Sequence, residues 1–500
     1  MSDPNDGRRP GTAPPLRVPS NVQFGAGKPK VEAGGAPEAR AATVPAAARA
    51  AQERAVGAAI RVGADRSHVH EQAPAPRKRE KREHSFVPVE PRSWDESGVD
   101  PEMALGLVCR MLVGQSKVSG KQLSEVTALP LPLVGDVLNA MKQRKLIEYL
   151  GTNAIGDHLV QLTASGGEAA LDSRKITSFV GAAPVPFKAY LLSIRQQSLT
   201  NANPGPEDLA HAFSDIDVSD DMLDRLGPAI ASCKSLFLYG PPGNGKTTIA
   251  ERITRAFGDA IWIPRTLSIG GTLVKLFDPA VHKVIEPHPD LARQFRIDRR
   301  WVLIERPTVI TGGELTLDML ELQNDTVANV SEAPLQLKAN CGTLVIDDFG
   351  RGHTSPQDLL NRWIFPLEKR YDFLKLPDGR KVECPFDCLL VFSTNLEPRD
   401  LADEAFMRRI PYKIFANNPD EEEFKALVEK TAEKYQIQLM PHSVKYLIDR
   451  HYKMANREFR FCHPRDLLLQ VVNYAEYTGT ERRCGPTEWD RVVQNYFGLS

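Results

Sequence analysis

Gly240-Pro241-Pro242-Gly243-Asn244-Gly245-Lys246-Thr247 fits G-x-x-x-x-G-K-[ST], the phosphate-binding loop pattern. Leu236-Phe-Leu-Tyr239 before it reads as a buried strand. Residues 247–257 after it carry Ile249, Ala250, Ile253 and Ala256 at helical spacing. That context matters, because a chance glycine-rich turn has no reason to sit between a strand and a helix. Gly240, Gly243 and Gly245 let the backbone fold so that its N–H groups point at an anion. The helix turns its positive dipole end toward the same place. Lys246 is expected to reach the β- and γ-phosphates, the Thr247 hydroxyl to ligate Mg²⁺, and Thr248 to complete the nucleotide-contacting set. The expected ligand is a nucleoside triphosphate.

The 500 residues suggest two to four domains, and a hydrophobic content of 42% suffices for ordinary cores. Lys plus Arg (63) nearly cancel Asp plus Glu (64), so overall charge argues for neither nucleic acid nor membrane. The seven cysteines form no C-x-x-C pair and suit a reducing compartment. Cys384 and Cys388 are read as strand-flanking thiols, not zinc ligands. There is no apolar stretch of membrane-spanning length and no signal-peptide core, which predicts a soluble, cytoplasmic protein.

Residues 1–95 are rich in Pro, Ala, Gly and Arg and predict a disordered tail, with a short Ala-rich helix near 46–59. The basic run Arg77-Lys-Arg-Glu-Lys-Arg82 is either a weak electrostatic contact or a solvated linker. Residues 96–176 have the order of a winged-helix domain. Helices are predicted over 101–115, from a capping box at Ser119 to about 129, and over 133–146, followed by strands at 147–150 and 158–163. The third helix carries Lys142, Arg144 and Lys145 against Asp136. Charges balance across the domain, so contact with a protein is favoured over DNA. Residues 177–234 form a connector and leading helices, with Ser219 as an N-cap.

Downstream, Thr343-Leu-Val-Ile346 runs into Asp347-Asp348, a Walker B pattern. Asp347 is placed to hold Mg²⁺ beside Thr247, and Asp348 to orient the attacking water. Helix 357–370 follows, then a β-hairpin at 371–383 around Leu-Pro-Asp-Gly, a strand ending at Thr394-Asn395, and Asp403-Glu-Ala-Phe-Met-Arg408-Arg409. About four helices fill 419–497, with His463-Pro-Arg465-Asp466 between two of them. Cys462 and His463 lack recurring partner ligands, so no metal is assigned there.

In this order the motifs resemble an AAA+ ATPase over residues 186–500. That implies an α/β P-loop NTPase core at 235–416, a C-terminal α-helical lid at 417–500, and core strands at 235–239, 260–264, 343–347, 388–394 and 412–415. The hairpin is similar to the pre-sensor-1 insertion clade, which includes MoxR-type chaperone ATPases, RuvB helicases and enhancer-binding activators. The sigma-gripping Gly-Ala-Phe-Thr-Gly-Ala loop of the activators is missing from the sequence. By resemblance Asn395 is sensor 1, Arg408 or Arg409 the arginine finger acting in trans, and Arg465 sensor 2 in cis. The ligands implied are ATP and Mg²⁺, and the working unit a ring, hexameric by resemblance. The strand-like runs 301–303 and 307–310 are read either as a second partner-facing loop or as an extension of the sheet. Three readings follow: a remodeller of a protein client recruited by the winged helix, a DNA-associated ATPase, and a nucleotide-gated scaffold with little turnover because Asp348 stands where Glu is usual.

Overall fold

The strands Leu236–Tyr239, Thr343–Ile346 and Leu389–Thr394 are apolar runs buried on both faces, as strands of a parallel sheet covered by helices must be. The computed structural model describes residues 86–498 apart from 153–156, 259 and 402. The readings for residues 1–85, including the Ala-rich helix and the basic run, lie outside the described residues.

Five parallel strands make the central sheet, in the order Thr308–Thr311, Thr343–Ile346, Leu389–Thr394, Leu236–Tyr239, Tyr412–Phe415. Successive side chains point to opposite faces, and each face has its own cover. Leu236, Leu238, Val391 and Ile414 pack against Leu209, Leu226, Ile230, Ile249 and Ile253 from the helices Pro206–Ala212, Asp220–Ala231 and Lys246–Ile253. Phe237, Leu344, Ile346 and Phe392 pack against Leu360 and Trp363 of the helix Pro356–Lys369. Ser219 caps Asp220–Ala231 and Ser355 caps Pro356–Lys369, each accepting a backbone N–H in the first turn.

Two expectations are corrected here. The strand Ala260–Pro264 is not in the central sheet; it pairs antiparallel with Trp301–Glu305 in a two-stranded ribbon. The edge position belongs to Thr308–Thr311, beside Thr343–Ile346. Of the two readings of the runs 301–303 and 307–310, the partner-facing loop is set aside and the strands are sheet elements: Trp301, Val302, Leu303 and Val309 are all buried. Periodicity identified strands here but not their partners, because an apolar run reads alike in either sheet.

A second five-stranded sheet lies in the order Gln323–Asp325, Val330–Glu332, Thr272–Lys275, Thr266–Ile269, Val185–Pro186. It shares a core with the N-terminal helices: Leu273 and Val330 pack in one cluster with Leu107, Leu112, Leu123, Val134 and Met141. Those N-terminal elements are the helices Pro101–Leu112, Gly120–Thr127 and Leu131–Gln143 and the strands Val118–Ser119, Ile147–Thr152 and His158–Leu162. The capping box at Ser119 with Gln122 is present. The chain is also built into the fold ahead of residue 96. Phe86 packs on Trp301 at 5.1 Å, and Asp298 N–H donates to the Pro88 carbonyl.

A buried ion pair ties these parts together. Arg300 and Asp298 are both 4% exposed and 2.8 Å apart, and Arg300 also donates to the carbonyls of Ser97 and Pro184. Breaking a buried pair leaves a charge with no partner and costs about 3–5 kcal/mol. Arg300→Ala is accordingly expected to lower unfolding stability in urea by that order, whereas a loss under about 1 kcal/mol would show that the pair is dispensable.

Candidate active site

Strand register brings the predicted residues to one edge. Phe237 is level with Phe392 and Phe392 with Ile346, so Gly240, Asn395 and Asp347 emerge together at the carboxyl ends of three neighbouring strands. The sequence order of strands reverses at Leu236–Tyr239, which lies between Leu389–Thr394 and Tyr412–Phe415. Ligands of open α/β sheets bind at such a switch point.

The loop after Leu236–Tyr239 wraps the start of the helix Lys246–Ile253. Gly240 has φ +138°, and a Cβ there would stand 2.7 Å from the Ala416 carbonyl. Gly243 has φ +84°, and its Cβ would lie 2.6 Å from Cys462 Sγ. Only glycine fits either place.

Lys246 is buried, and its ammonium donates to the carbonyls of Gly240 and Pro241, each at 2.9 Å, and to Asn395 Oδ1 at 2.6 Å. Burial holds its pKa below the ordinary lysine value. Asp347 and Asp348 pull it back up, while Arg460 and Arg351 push it further down. Thr247 Oγ1 donates to Asp347 Oδ2 at 2.7 Å. Asn395 Nδ2 donates to Asp348 Oδ1 at 3.3 Å, so one carboxamide spans the lysine and the second acid. Asp348 sits at φ +48°, a left-handed conformation unusual for a side chain with a Cβ. Its N–H donates to Asp347 Oδ1 at 3.0 Å. The Asp-Asp pair is thus a shaped turn, with both carboxylates at the strand tip.

The Thr247 hydroxyl and the Asp347 carboxylate are hard oxygen donors that suit Mg²⁺, a cation that keeps water and phosphate oxygens among its ligands. Among the described residues no three His, Cys, Asp or Glu side chains gather around a metal-sized space. A cation held by one hydroxyl, one carboxylate and substrate oxygens fits that donor set.

The remaining predicted residues separate. Arg409 is tied to Glu368 at 3.2 Å. Arg408 is exposed, and among the described residues its side chain has no hydrogen-bond or ion-pair partner. Arg465 is 64% exposed and donates to Asp466 Oδ1 at 2.8 Å. Sequence reading passed over two contacts to the loop from the chain after the last core strand, one from the start of the helix Cys462–Thr478 and one from the connector before the helix Glu421–Lys434. Cys462 N–H donates to the Gly243 carbonyl at 2.9 Å, and Asn418 Oδ1 accepts from Asn244 Nδ2 at 2.8 Å. No spacing rule links residues so far apart in sequence.

On the N-terminal helices, two of the three basic residues are already engaged. Arg144 pairs with Glu102, and the Lys142 ammonium lies 4.9 Å over the Tyr149 ring. Among the described residues no helix is long and apolar enough to cross a membrane.

A family model described as a domain of unknown function (DUF8689) matches residues 420–495. Comparison with curated proteins finds no match. Among solved structures the chain is similar to the Holliday junction branch migration motor RuvB of Thermotoga maritima. That likeness has 14% identity and a TM-score of 0.31, over 60% of this chain and 74% of that one. It is also similar to NtrX from Brucella abortus in complex with ATP, at 12% identity over 64% of each chain, with a TM-score of 0.35.

Beside the loop contact, His463 is buried and its Nδ1 shares a hydrogen bond with the Tyr452 hydroxyl at 3.0 Å. Burial, aided by Arg460 and Arg457, lowers its pKa from 6.5 to about 4. Between those values the unfolded chain takes a proton that the folded chain refuses, so this contribution is present above pH 6.5 and lost as pH falls toward 4. Allowing for solvent screening, the loss is on the order of 1–2 kcal/mol. His463→Gln is expected to flatten the acid limb of a stability–pH curve from urea titrations; superimposable limbs would remove His463 from the account.

Proposed function

We propose that the chain is an AAA+ ATPase that binds MgATP, hydrolyses it to ADP and phosphate, and transmits the change to a protein partner as a ring. The observation that carries this reading is the convergence of Lys246, Thr247, Asp347, Asp348 and Asn395 at one sheet edge, through direct side-chain contacts. Lys246 supplies a fixed positive charge for the β- and γ-phosphates, and the backbone N–H groups of 243–248 supply neutral donors. Thr247 and Asp347 would hold Mg²⁺, which neutralises phosphate charge when bound. Asp348 accepts a proton-bearing edge of the attacking water and orients it. Asn395 fixes that acid relative to the lysine, so water and phosphate are positioned by one connected group. Positioning plus charge stabilisation is most of what phosphoryl transfer asks of a protein.

Arg408 is the better finger of the two, since it is exposed and has no partner among the described residues, whereas Arg409 is held by Glu368. A guanidinium entering a neighbour's site requires an assembled ring, and gains of 10³–10⁵ are typical for such fingers. The helices of 421–497 act as the lid, and Arg465 is its in-cis arginine. The N-terminal elements act as a winged-helix-like module. Engagement of Arg144 and Lys142 within the chain favours a protein over DNA as its partner.

Lys246→Ala and Asp348→Asn are expected to lower phosphate release at least about 100-fold, with Asp348→Asn still binding ATP. Unchanged turnover in either variant would sink the site assignment. Negligible turnover in the native chain with intact ATP binding would point instead to a nucleotide-gated scaffold. Arg408→Ala protomers mixed into native protein should depress activity more steeply than their fraction, while Arg409→Ala protomers should not. A linear decline for Arg408→Ala would argue against a shared site.

A further inference from the structure

The turn that carries Asp348 is held from two sides. On the near side Phe349 is buried; its N–H donates to the Ser393 carbonyl at 2.9 Å, and its carbonyl accepts from Thr394 Oγ1 at 2.7 Å. These bonds anchor the turn to the strand Leu389–Thr394, just ahead of Asn395. The Arg351 N–H closes the turn on the Asp348 carbonyl at 3.0 Å. The far side rests on the loop 312–315, which follows the edge strand Thr308–Thr311. There the His353 N–H donates to the Gly313 carbonyl at 3.1 Å, and Thr354 Oγ1 to the Leu315 carbonyl at 2.8 Å.

Glycine makes that approach possible. A Cβ on Gly352 would stand 2.9 Å from the Gly313 carbonyl oxygen and 3.1 Å from its Cα, well inside van der Waals contact. The atoms in the way are backbone, so no side chain can swing aside. Glu314 holds the loop in shape from within: its Oε1 accepts from the Gly312 N–H at 2.9 Å and from Thr311 Oγ1 at 3.1 Å. Leu315 then plugs the loop into the core that also encloses Phe349.

We propose that the loop 312–315 is a positioning element for the attack on phosphate, acting on Asp348 alone through the contact of Gly313 with Gly352. The inference rests on the hydrolysis reading above and adds Glu314 and Gly352 to it as positioning residues. Aspartate is one methylene shorter than glutamate, so Asp348 has one rotatable bond fewer with which to make up a displaced backbone. Its carboxylate goes where the turn goes.

The test is single-turnover hydrolysis and equilibrium MgATP binding by the full chain. Gly352→Ala is expected to slow hydrolysis about 10- to 100-fold, since a misplacement of about 1 Å can cost the larger figure, with MgATP affinity within about twofold. Glu314→Ala, which frees the loop without crowding it, should slow hydrolysis less at the same affinity. Glu314→Gln keeps an accepting oxygen and should restore most of the native rate. In an Asp348→Asn background neither Gly352→Ala nor Glu314→Ala should cost more than about twofold, because the group they position is gone. Unchanged rates in both folded variants, an affinity that falls with the rate, or an equal further loss behind Asp348→Asn would each overturn the inference. If urea titration shows Gly352→Ala unfolded, the two Glu314 variants decide on the same criteria. Native hydrolysis that Lys246→Ala abolishes keeps the nucleotide reading whatever these variants do; a native chain that hydrolyses nothing overturns both.

Discussion

Parallel strand register is the constraint from which the rest of the site follows. Hydrogen bonding fixes Phe237, Phe392 and Ile346 at one level, and the residues just beyond each strand then have nowhere to go but the same edge. A slip of one residue in any strand would turn its side chains to the opposite face and drop its contribution from the site. Burial on both faces is what forbids the slip, because Leu236, Phe237, Leu238, Val391 and Phe392 are wholly enclosed. The core thus sets the chemistry's geometry before any polar contact forms.

The phosphate loop is then shaped from two sides. Gly240 is pressed against the backbone at Ala416, and Gly243 against Cys462. Both neighbours belong to the chain after the last core strand, and through Cys462 the helix Cys462–Thr478 touches the loop that would carry the phosphates. A shift of that helix must move the loop, and an occupied loop must hold the helix. Packed interiors respond to such shifts in discrete steps, because they have little free volume to absorb them.

Local patterns made much of this legible. The phosphate loop, the acid pair after Thr343–Ile346, the Ser119 capping box and the hairpin Tyr371–Lys375 with Lys381–Pro385 each depend on residues close in sequence, and each was readable from spacing. Partnerships between distant strands were not. Ala260–Pro264 has the composition of a core strand and was read as one, yet it pairs with Trp301–Glu305 while Thr308–Thr311 takes the edge. The reading of residues near 90 as tail also missed Phe86, whose ring finds Trp301 more than two hundred residues away. Asn418 was invisible for the same reason, since what marks it is a hydrogen bond from Asn244 and not a motif.

The buried Arg300–Asp298 pair has a consequence for how the molecule can be divided. Arg300 spans the carbonyls of Ser97 and Pro184, while Leu273 and Val330 complete the core beneath the first three long helices. Excising the first 180 residues would strip the cover from that apolar surface and break the lattice of bonds around an interior guanidinium. The amino-terminal region is therefore not a detachable cassette: a core cut free of it would expose the seam as a sticky face, and a graft onto another core would need to bring the second sheet along.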